Sequence, residues 1–151
     1  MLNLEINQPA KTRLPVAWFK RVAQAFAQAE KISGQKYFSL ALVGSQTIKK
    51  LNRCYRGQNQ VTDVLSFSED RKSAKIFFDN NFLGEVIICV PQAKRQAQAF
   101  GWDLQTELAR LLTHGLAHLA GYEHEAVSDA CAQAMSRQEA RVLAKVFKNK
   151  K

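Results

Sequence analysis

All three histidines of this chain lie within the segment HGLAHLAGYEH, which runs from 114 to 124. His114 and His118 are four residues apart, so on a helix they are separated by about 40° around the axis and about 6 Å along it. Leucines recur at spacings of three and four through 104–120, and Asp103 is placed to cap that segment. The pattern therefore predicts a long amphipathic helix over 104–120, with both histidines on one side at the edge of its apolar stripe.

The residues after that helix can bring the third histidine back toward the first two. Gly121 tolerates the positive φ that ends a helix and reverses the chain, so His124 comes from the following loop. Three neutral imidazoles with no thiolate suit zinc and leave a fourth position for water. The sequence predicts one Zn²⁺ per chain, bound by His114, His118 and His124. An isolated HxxxH pair is more often ordinary surface or core histidine; the clustering of all three favours metal.

The spacing also matches the H-E-x-x-H-x-x-G-x-x-H motif of zinc proteases, except that Gly115 occupies the position of the glutamate. In those proteases the glutamate takes the proton from metal-bound water, which glycine cannot do. A zinc-dependent peptide or amide hydrolase therefore remains an alternative only if Glu107, Glu123 or Glu125 supplies the base. Glu107 can equally orient a ligand histidine or be an ordinary charge at the solvent edge.

Along the rest of the chain, segments typical of strands alternate with segments typical of helices. Strands are expected at 2–6, 37–43, 61–67 and 82–90, with a hairpin-like excursion between the last two. Further helices are expected from Pro15 toward Gly34, from Pro91 to Gly101, and over 128–147. Another is expected from a cap at Ser45 to Gly57, and its inward side would carry Ile48, Leu51 and Tyr55. This alternation predicts one α/β domain over 1–151, with a small mixed sheet of about four strands, five to six helices, and the metal site at the end of a long central helix.

Charge is distributed unevenly along the chain. The net charge of +9 divides into +8 over 1–60, −3 over 61–125 and +4 over 126–151. Basic ends flanking a slightly acidic middle favour a polyanionic partner, and nucleic acid is the first candidate. The alternative is a solvated basic surface without a dedicated partner.

Cysteine usage and hydropathy bear on the compartment. Cys54, Cys89 and Cys131 are an odd number with no CxxC pair, so we expect buried thiols in a reducing environment. No apolar run of about 20 residues is present, so no membrane association is expected. A cytoplasmic protein is the resulting expectation.

Three blocks of the sequence resemble the YbeY family of bacterial endoribonucleases. HGLAHLAGYEH is similar to the family signature H-G-x-L-H-L-x-G-Y-D-H, and LNRCYRGQNQVTDVLSF (51–67) is similar to L-N-x-x-Y-R followed by T-D-V-L-S-F. LGEVII (83–88) resembles the family's L-G-D-I strand, so the blocks span about half of the chain. The departures are Glu123 for an aspartate, Ala117 for a leucine, Glu85 for an aspartate, and 57–61 where a Lys-Asp pair and a proline are common.

The resemblance implies an α/β fold and a metal-dependent endoribonuclease specific for single-stranded RNA. It implies a role in rRNA maturation, at the 3′ end of small-subunit rRNA, and in ribosome quality control. The partners would be rRNA, the ribosomal small subunit and its assembly factors, with no DNA. A non-catalytic assembly or RNA-binding factor with a structural zinc remains the main alternative.

By position, the resemblance makes His114, His118 and His124 the metal ligands and Arg56 the functional arginine. His114 and Arg56 are accordingly the expected catalytic residues. A guanidinium can hold two phosphate oxygens while negative charge develops on them. Without the resemblance, Arg56 would be interpreted as one more basic residue at a helix end. In the TDVLSF block, Thr62, Asp63 and Ser66 are expected to fix the loop and the wall of a cleft.

Overall fold

The structure is a computed structural model, and it describes residues 2–10, 12–68, 81–121, 137 and 140–147. The elements in chain order are β1 (Leu2–Asn7), α1 (Val16–Ala29), β2 (Lys36–Val43), α2 (Ser45–Arg56), β3 (Val64–Ser68), β4 (Phe82–Cys89), α3 (Val90–Phe100) and α4 (Leu104–Leu119). A further helical segment covers 140–147. The predicted hairpin-like excursion, the start of the predicted helix 128–147, and Cys131 lie outside the described residues.

The four described strands form one mixed sheet in the order β1-β2-β4-β3. β1 pairs with β2 and β2 pairs with β4 in parallel, while β3 pairs with β4 antiparallel. The parallel pairs need long crossover connections, which are supplied by α1 between β1 and β2 and by a path that includes α2 between β2 and β4. The α/β class and the four-stranded mixed sheet are therefore as predicted. The described part of the chain holds four helices and the helical segment 140–147, which agrees with the predicted five to six.

The larger hydrophobic core lies between one face of the sheet and the helices α1 and α4. It contains the apolar side chains that the strands direct to this face and those that the two helices direct toward the sheet. The helix members include Phe19 and Phe26 of α1 and Leu108, Leu112 and Leu116 of α4. Val142 and Val146 of the segment 140–147 are also buried in it. α4 is thus packed along most of its length, because the leucine stripe predicted from the sequence faces the sheet and α1.

A smaller core lies on the other face of the sheet, beneath α2. Ile48 of α2 packs there with Leu65, Ile87 and Cys89 from the strands. The two faces therefore carry different helices, and residues of α2 and α4 can meet only around an edge of the sheet. β3 is the strand at that end of the described order.

Two helix boundaries confirm predictions made from capping residues. Asp103 accepts a hydrogen bond from the backbone N–H of Thr106 at 2.7 Å and so caps α4. Gly101 follows α3 in the left-handed region, with φ 76°. Ser45 is not a cap: α2 begins at Ser45 itself, and Gly44, which has no side chain to donate or accept, is the capping residue.

Two side chains of α2 were wrongly predicted to be buried. Tyr55 shares the stripe of Ile48 and Leu51, but it lies in the last turn of the helix and is 68% exposed. Its aromatic neighbour is Phe67 of β3, the terminal strand of the described sheet. Cys54, on the adjacent side of the same turn, is likewise exposed, whereas Cys89 is buried as expected.

No helix in the described ranges is both long enough and apolar enough to cross a membrane.

Gly84 allows β3, β4 and α4 to approach closely. Its φ is 135°, and a Cβ at this position would overlap the carbonyl oxygen of Phe67 and lie 2.9 Å from Cα of Ser68. It would also lie 3.0 Å from a methyl group of Leu119 in α4. A side chain here is excluded both by backbone strain and by backbone atoms that cannot move aside.

We predict that Gly84→Ala lowers the free energy of unfolding by about 2–5 kcal/mol, because conformational strain and overpacking add. Gly34→Ala is the matched control, since Gly34 also has a positive φ (75°) but a Cβ added there would meet nothing within 4 Å. It should cost only the strain, about 1–2 kcal/mol. Urea denaturation of both variants gives the comparison, and equal losses would contradict the packing argument.

Candidate active site

A cavity of about 560 Å³ lies where the end of α2, the strand β3 and the second half of α4 meet. Its described lining residues are Asn52, Arg56, Gln58, Thr62, Val64, Leu65, Ser66, Ser68, His114 and His118. Three of the four predicted site residues, Arg56, His114 and His118, are therefore brought together. The fourth, His124, lies outside the described residues.

The two histidines of α4 turn their ring nitrogens toward each other. Nε2 of His114 and Nε2 of His118 are 3.2 Å apart, and the ring centroids are 4.8 Å apart with an interplanar angle of 67°. Both side chains are half-buried at the cavity wall, while Leu116 and Leu119 on the neighbouring side of the helix are buried. The helix geometry inferred from the four-residue spacing is thus the geometry observed.

This separation fits a shared metal ion. Two imidazole nitrogens bound at 2.0–2.1 Å to a tetrahedral zinc are about 3.3 Å apart, close to the 3.2 Å between the two Nε2 atoms. The same distance also suits a direct hydrogen bond between one protonated and one unprotonated nitrogen. Two nitrogen donors do not complete a site, and within the described ranges no group of three or more His, Cys, Asp or Glu side chains could hold a metal ion.

Arg56 reaches the cavity from the opposite face of the sheet. Its Nη2 donates to the carbonyl oxygen of Ser66 at 3.0 Å, and its guanidinium carbon lies 5.7 Å from the ring centroid of Phe67. Gly57, left-handed with φ 70°, ends α2 directly after this residue. The two contacts with β3 hold an exposed cation at the rim of the cavity that the histidine pair also lines.

The loop of 57–61, where the sequence departs from the family pattern, is organised by Asn52. This side chain is 3% exposed and donates from Nδ2 to the carbonyl oxygen of Gln60 at 3.0 Å. The backbone carbonyl oxygen of Asn52 accepts from the backbone N–H of Gln58 at 3.3 Å. Asn52 was not singled out from the sequence, although an asparagine on the inward side of a helix just before a loop is a signal for such a role.

Asp63 anchors the start of β3 through side-chain hydrogen bonds. Its Oδ1 accepts from the backbone N–H of Val64 at 2.8 Å, and its Oδ2 accepts from Nε2 of Gln96 in α3 at 3.2 Å. The backbone carbonyl of Asp63 accepts from Cys89 N–H at 2.8 Å. The expectation that Asp63 fixes the loop before β3 is confirmed, and Gln96 is a partner that the sequence did not reveal.

Glu107 is a buried structural carboxylate. The sequence left two roles open for it, orienting a ligand histidine or being an ordinary charge at the solvent edge, and its burial rules out the second. It is 0% exposed, and its oxygens accept hydrogen bonds from Gln96 at 2.9 Å, from the Trp102 indole at 2.9 Å and from Arg110 at 2.6 Å. These donors lie on α3, on the turn before α4 and within α4 itself. They satisfy a buried charge that would otherwise be costly, so the role of Glu107 is to tie α3 to α4.

The described cavity wall carries positive charge and no carboxylate. Arg56 is the cation of the described lining. It lies on α2, a helix that has no acidic residue and also carries Lys49, Lys50 and Arg53 outside the lining. The polar groups of the lining are hydroxyls, amides, imidazoles and the guanidinium. Such a wall is suited to bind an anion that offers several oxygen acceptors.

The packing of Gly115 explains why glutamate is absent at this position. Gly115 is buried on the side of α4 that faces the sheet, where a Cβ would lie 2.6 Å from Cγ1 and 3.0 Å from Cγ2 of Val86 in β4. A glutamate side chain cannot enter this contact without separating the helix from the strand. The packing of Gly115 against Val86 therefore leaves no room for a glutamate base at this position.

We predict that Gly115→Ala is destabilising by about 1–3 kcal/mol through overpacking against Val86. Helix propensity alone would give the opposite sign, a gain of about 1 kcal/mol for glycine to alanine inside a helix. Val86→Ala should relieve the clash, so the double variant should be more stable than the two single losses imply. As a control, Gly44→Ala, which meets nothing within 4 Å, should combine additively with Val86→Ala. A positive effect of Gly115→Ala on the melting temperature would refute the contact.

Comparison with known proteins identifies a group of relatives. The family model described as "Endoribonuclease YbeY" matches residues 3–147. The Endoribonuclease YbeY of Moorella thermoacetica is 42% identical over 143 residues, covering 91% of this chain and 90% of that protein. The protein of the same name from Syntrophomonas wolfei is 35% identical over 130 residues, covering 83% and 82%. The solution structure of a Thermotoga maritima protein superposes on this chain with a TM-score of 0.65 at 24% sequence identity. The superposition covers 98% of this chain and 90% of that protein, and it supports the fold.

Proposed function

The chain belongs to the YbeY endoribonuclease family, and on that basis we propose that it is a metal-dependent endoribonuclease that cuts single-stranded RNA. The observation that carries this proposal is the meeting of a convergent histidine pair and an arginine at one cavity whose described wall has no carboxylate. We propose further that the substrate is rRNA, that cleavage serves maturation of the small-subunit rRNA 3′ end, and that the protein also acts in ribosome quality control. The ribosomal small subunit and its assembly factors in the cytoplasm are the proposed partners.

A single RNA strand suits this site better than a duplex. Unpaired nucleotides can be splayed out so that both the phosphate and the base contact protein, whereas a helix buries the base edges. The cavity of about 560 Å³ opens beside the basic helix α2, so a strand can place one phosphate inside while its neighbours stay near Lys50 and Arg53. The resulting backbone contacts would make binding depend strongly on salt.

Arg56 is the residue that we assign to the scissile phosphate. Its one described hydrogen bond, to the Ser66 carbonyl, holds the guanidinium in place, and a guanidinium has further N–H donors for an anion. Held at the rim by this contact, it can bind two phosphate oxygens and stabilise the charge that accumulates on them during cleavage. Ser66, which lines the same wall, can donate a hydroxyl hydrogen bond to phosphate or ribose. The Thr62 hydroxyl donates to Asp63 Oδ1 at 3.4 Å and can accept a hydrogen bond from a ligand hydroxyl.

The histidines are the residues that we assign to the metal. His114 and His118, with His124 from the loop beyond, would hold one Zn²⁺, whose chemistry when bound is that of a Lewis acid beside the phosphate. The distance between the two Nε2 atoms and the neutral nitrogen donor set support this assignment. For His114 we propose a direct role in the cleavage step in addition to metal binding.

A peptide or amide hydrolase is less well supported by the same geometry. Such an enzyme needs a general base, and Gly115 cannot be replaced by glutamate because of Val86. Glu107 is fully buried and accepts hydrogen bonds from three donor residues. The other candidate bases, Glu123 and Glu125, lie outside the described residues. Because the described wall of the cavity offers a guanidinium and no carboxylate, RNA cleavage assisted by a cation and a guanidinium fits its chemistry better.

We predict that Arg56→Ala lowers kcat for cleavage of a labelled single-stranded rRNA fragment by roughly 10²–10³-fold, as for the loss of one oxyanion-stabilising donor. Arg56→Lys should restore only part of the rate, because a lysine cannot bind two oxygens in a fixed plane. Arg95→Ala is the control: Arg95 is an exposed arginine of α3 that bonds to Gln92 and does not line the cavity. Equal rates for Arg56→Ala and the parent would refute the assignment.

We predict that a chelator abolishes cleavage while the chain stays folded, and that added Zn²⁺ restores it. The two hydrophobic cores do not include either histidine, so the sheet and its helices should survive without metal. His114→Ala and His118→Ala should lose both stoichiometric zinc and cleavage, as measured by metal analysis and by mapping of RNA ends. Unfolding on chelation, together with no cleavage by metal-loaded protein, would instead favour a non-catalytic assembly factor with a structural zinc.

A further inference from the structure

Tyr55 is the most exposed large apolar side chain in the described part of the chain. It is 68% exposed, although the earlier members of the same α2 stripe are buried (Ile48) or half-buried (Leu51). Its chain neighbour Arg56 lines the cavity. An aromatic ring in this position is costly to leave in water, which suggests that a ligand at the rim of the site covers it.

The ring of Tyr55 is held against the same strand that forms the cavity wall. Its centroid lies 5.3 Å from that of Phe67, at an interplanar angle of 61°. Phe67 stands between Ser66 and Ser68, both of which line the cavity, and the Arg56 guanidinium lies over the Phe67 ring. Tyr55, Phe67 and Arg56 therefore form one cluster, which we call the rim cluster.

This arrangement leaves the Tyr55 ring available to a flat partner. The edge-type contact with Phe67 limits the motion of the ring, while most of its surface remains in solvent. A pre-positioned aromatic ring beside a cation is the arrangement on which nucleic-acid bases stack in single-strand binding sites. Base stacking tolerates any sequence, because every base presents a π-face.

We propose that Tyr55 is a stacking subsite for one unpaired base of the RNA, the base of a nucleotide adjacent to the phosphate bound by Arg56. This inference rests on the proposed function, because it takes RNA as the ligand of the cavity. It adds a specific contact that neither the histidines nor Arg56 provides. It also gives a reason for single-strand specificity, since a base in a duplex is already stacked and paired.

The charge around Tyr55 favours RNA over an apolar protein surface as its partner. Lys50 and Arg53 are exposed on the same helix, and no acidic residue occurs in α2. Protein-docking surfaces are usually contiguous apolar patches, whereas Tyr55 is a single exposed aromatic residue on a helix that is otherwise rich in cations. A base flanked by phosphates matches this combination of one aromatic ring and several positive charges.

The test measures equilibrium binding of the full chain to a short single-stranded RNA. The buffer contains a chelator so that the RNA is not cut, and a gel verifies that the RNA stays intact. A set of oligonucleotides carries one abasic nucleotide at successive positions. Tyr55→Ala should weaken binding of the normal RNA by roughly 5- to 150-fold, the range expected for loss of one stacked base. Tyr55→Phe and Tyr55→Trp should bind like the parent.

The abasic series identifies stacking as the cause. At one position the abasic change should weaken binding to the parent by a similar factor and have no effect on Tyr55→Ala, because the two changes remove the same contact. In Tyr55→Trp, the fluorescence of the new indole should be quenched by the normal RNA and not by the RNA that is abasic at that position. Phe100→Ala is the matched control, since Phe100 is 61% exposed and does not line the cavity; it should bind as the parent does.

Each outcome separates this inference from the proposed function. If the parent binds and cuts RNA while Tyr55→Ala binds equally well, or if all abasic effects persist in Tyr55→Ala, the stacking subsite is wrong and the nuclease assignment stands. If the base-specific coupling is found without any cleavage by metal-loaded parent, the nuclease assignment fails alone. A parent that does not bind RNA overturns both.

Tyr55→Leu, which keeps an apolar contact with Phe67, separates loss of stacking from loss of folding, and it should bind as weakly as Tyr55→Ala.

Discussion

The close approach of α4 to the sheet is the constraint on which the rest of the site depends. At Gly115 the helix backbone lies so near Val86 of β4 that a single methyl group would overlap it. This contact fixes the rotation of α4 about its axis, since the glycine must face the strand. Once that rotation is fixed, His114 and His118 turn toward the end of the sheet occupied by β3, and their nitrogens converge to 3.2 Å. The missing glutamate of the protease motif is therefore a consequence of packing, and the packing also orients the histidines.

A second constraint is the hydrogen-bond network that joins the half-buried Asp63 and Gln96 to the fully buried Glu107. The amide of Gln96 donates to both carboxylates, and Glu107 also holds the Trp102 indole and Arg110. Because buried carboxylates are tolerated only with several donors, the network keeps the start of β3 in register with α3 and α4. The wall of the cavity is thus positioned by polar bonds from behind, while its front is open to a ligand.

The site forms where two faces of one sheet meet around β3. The histidines belong to the face covered by α4, and Arg56 belongs to the face covered by α2. Arg56 reaches the terminal strand through the Ser66 carbonyl, and Tyr55 does so through Phe67. A phosphate between the two faces would meet the histidines and the guanidinium at once, which is the arrangement that we propose for cleavage of an RNA strand.

The sequence by itself determined the α/β class, the extent of α4 with its Asp103 cap, and the placement of two histidines on one side of it, because those features follow from spacing within single elements. It also indicated Arg56, although through family resemblance rather than periodicity. Only the tertiary structure decided that Glu107 is buried, that Gln96 joins it to Asp63, which precedes Gln96 by 33 residues, and that Tyr55 is exposed. The physical reason is that periodicity shows only which residues share a face of one helix or strand. Whether those residues are buried, and which side chains they contact, depends on the neighbouring element that packs on that face and on where that neighbouring element ends.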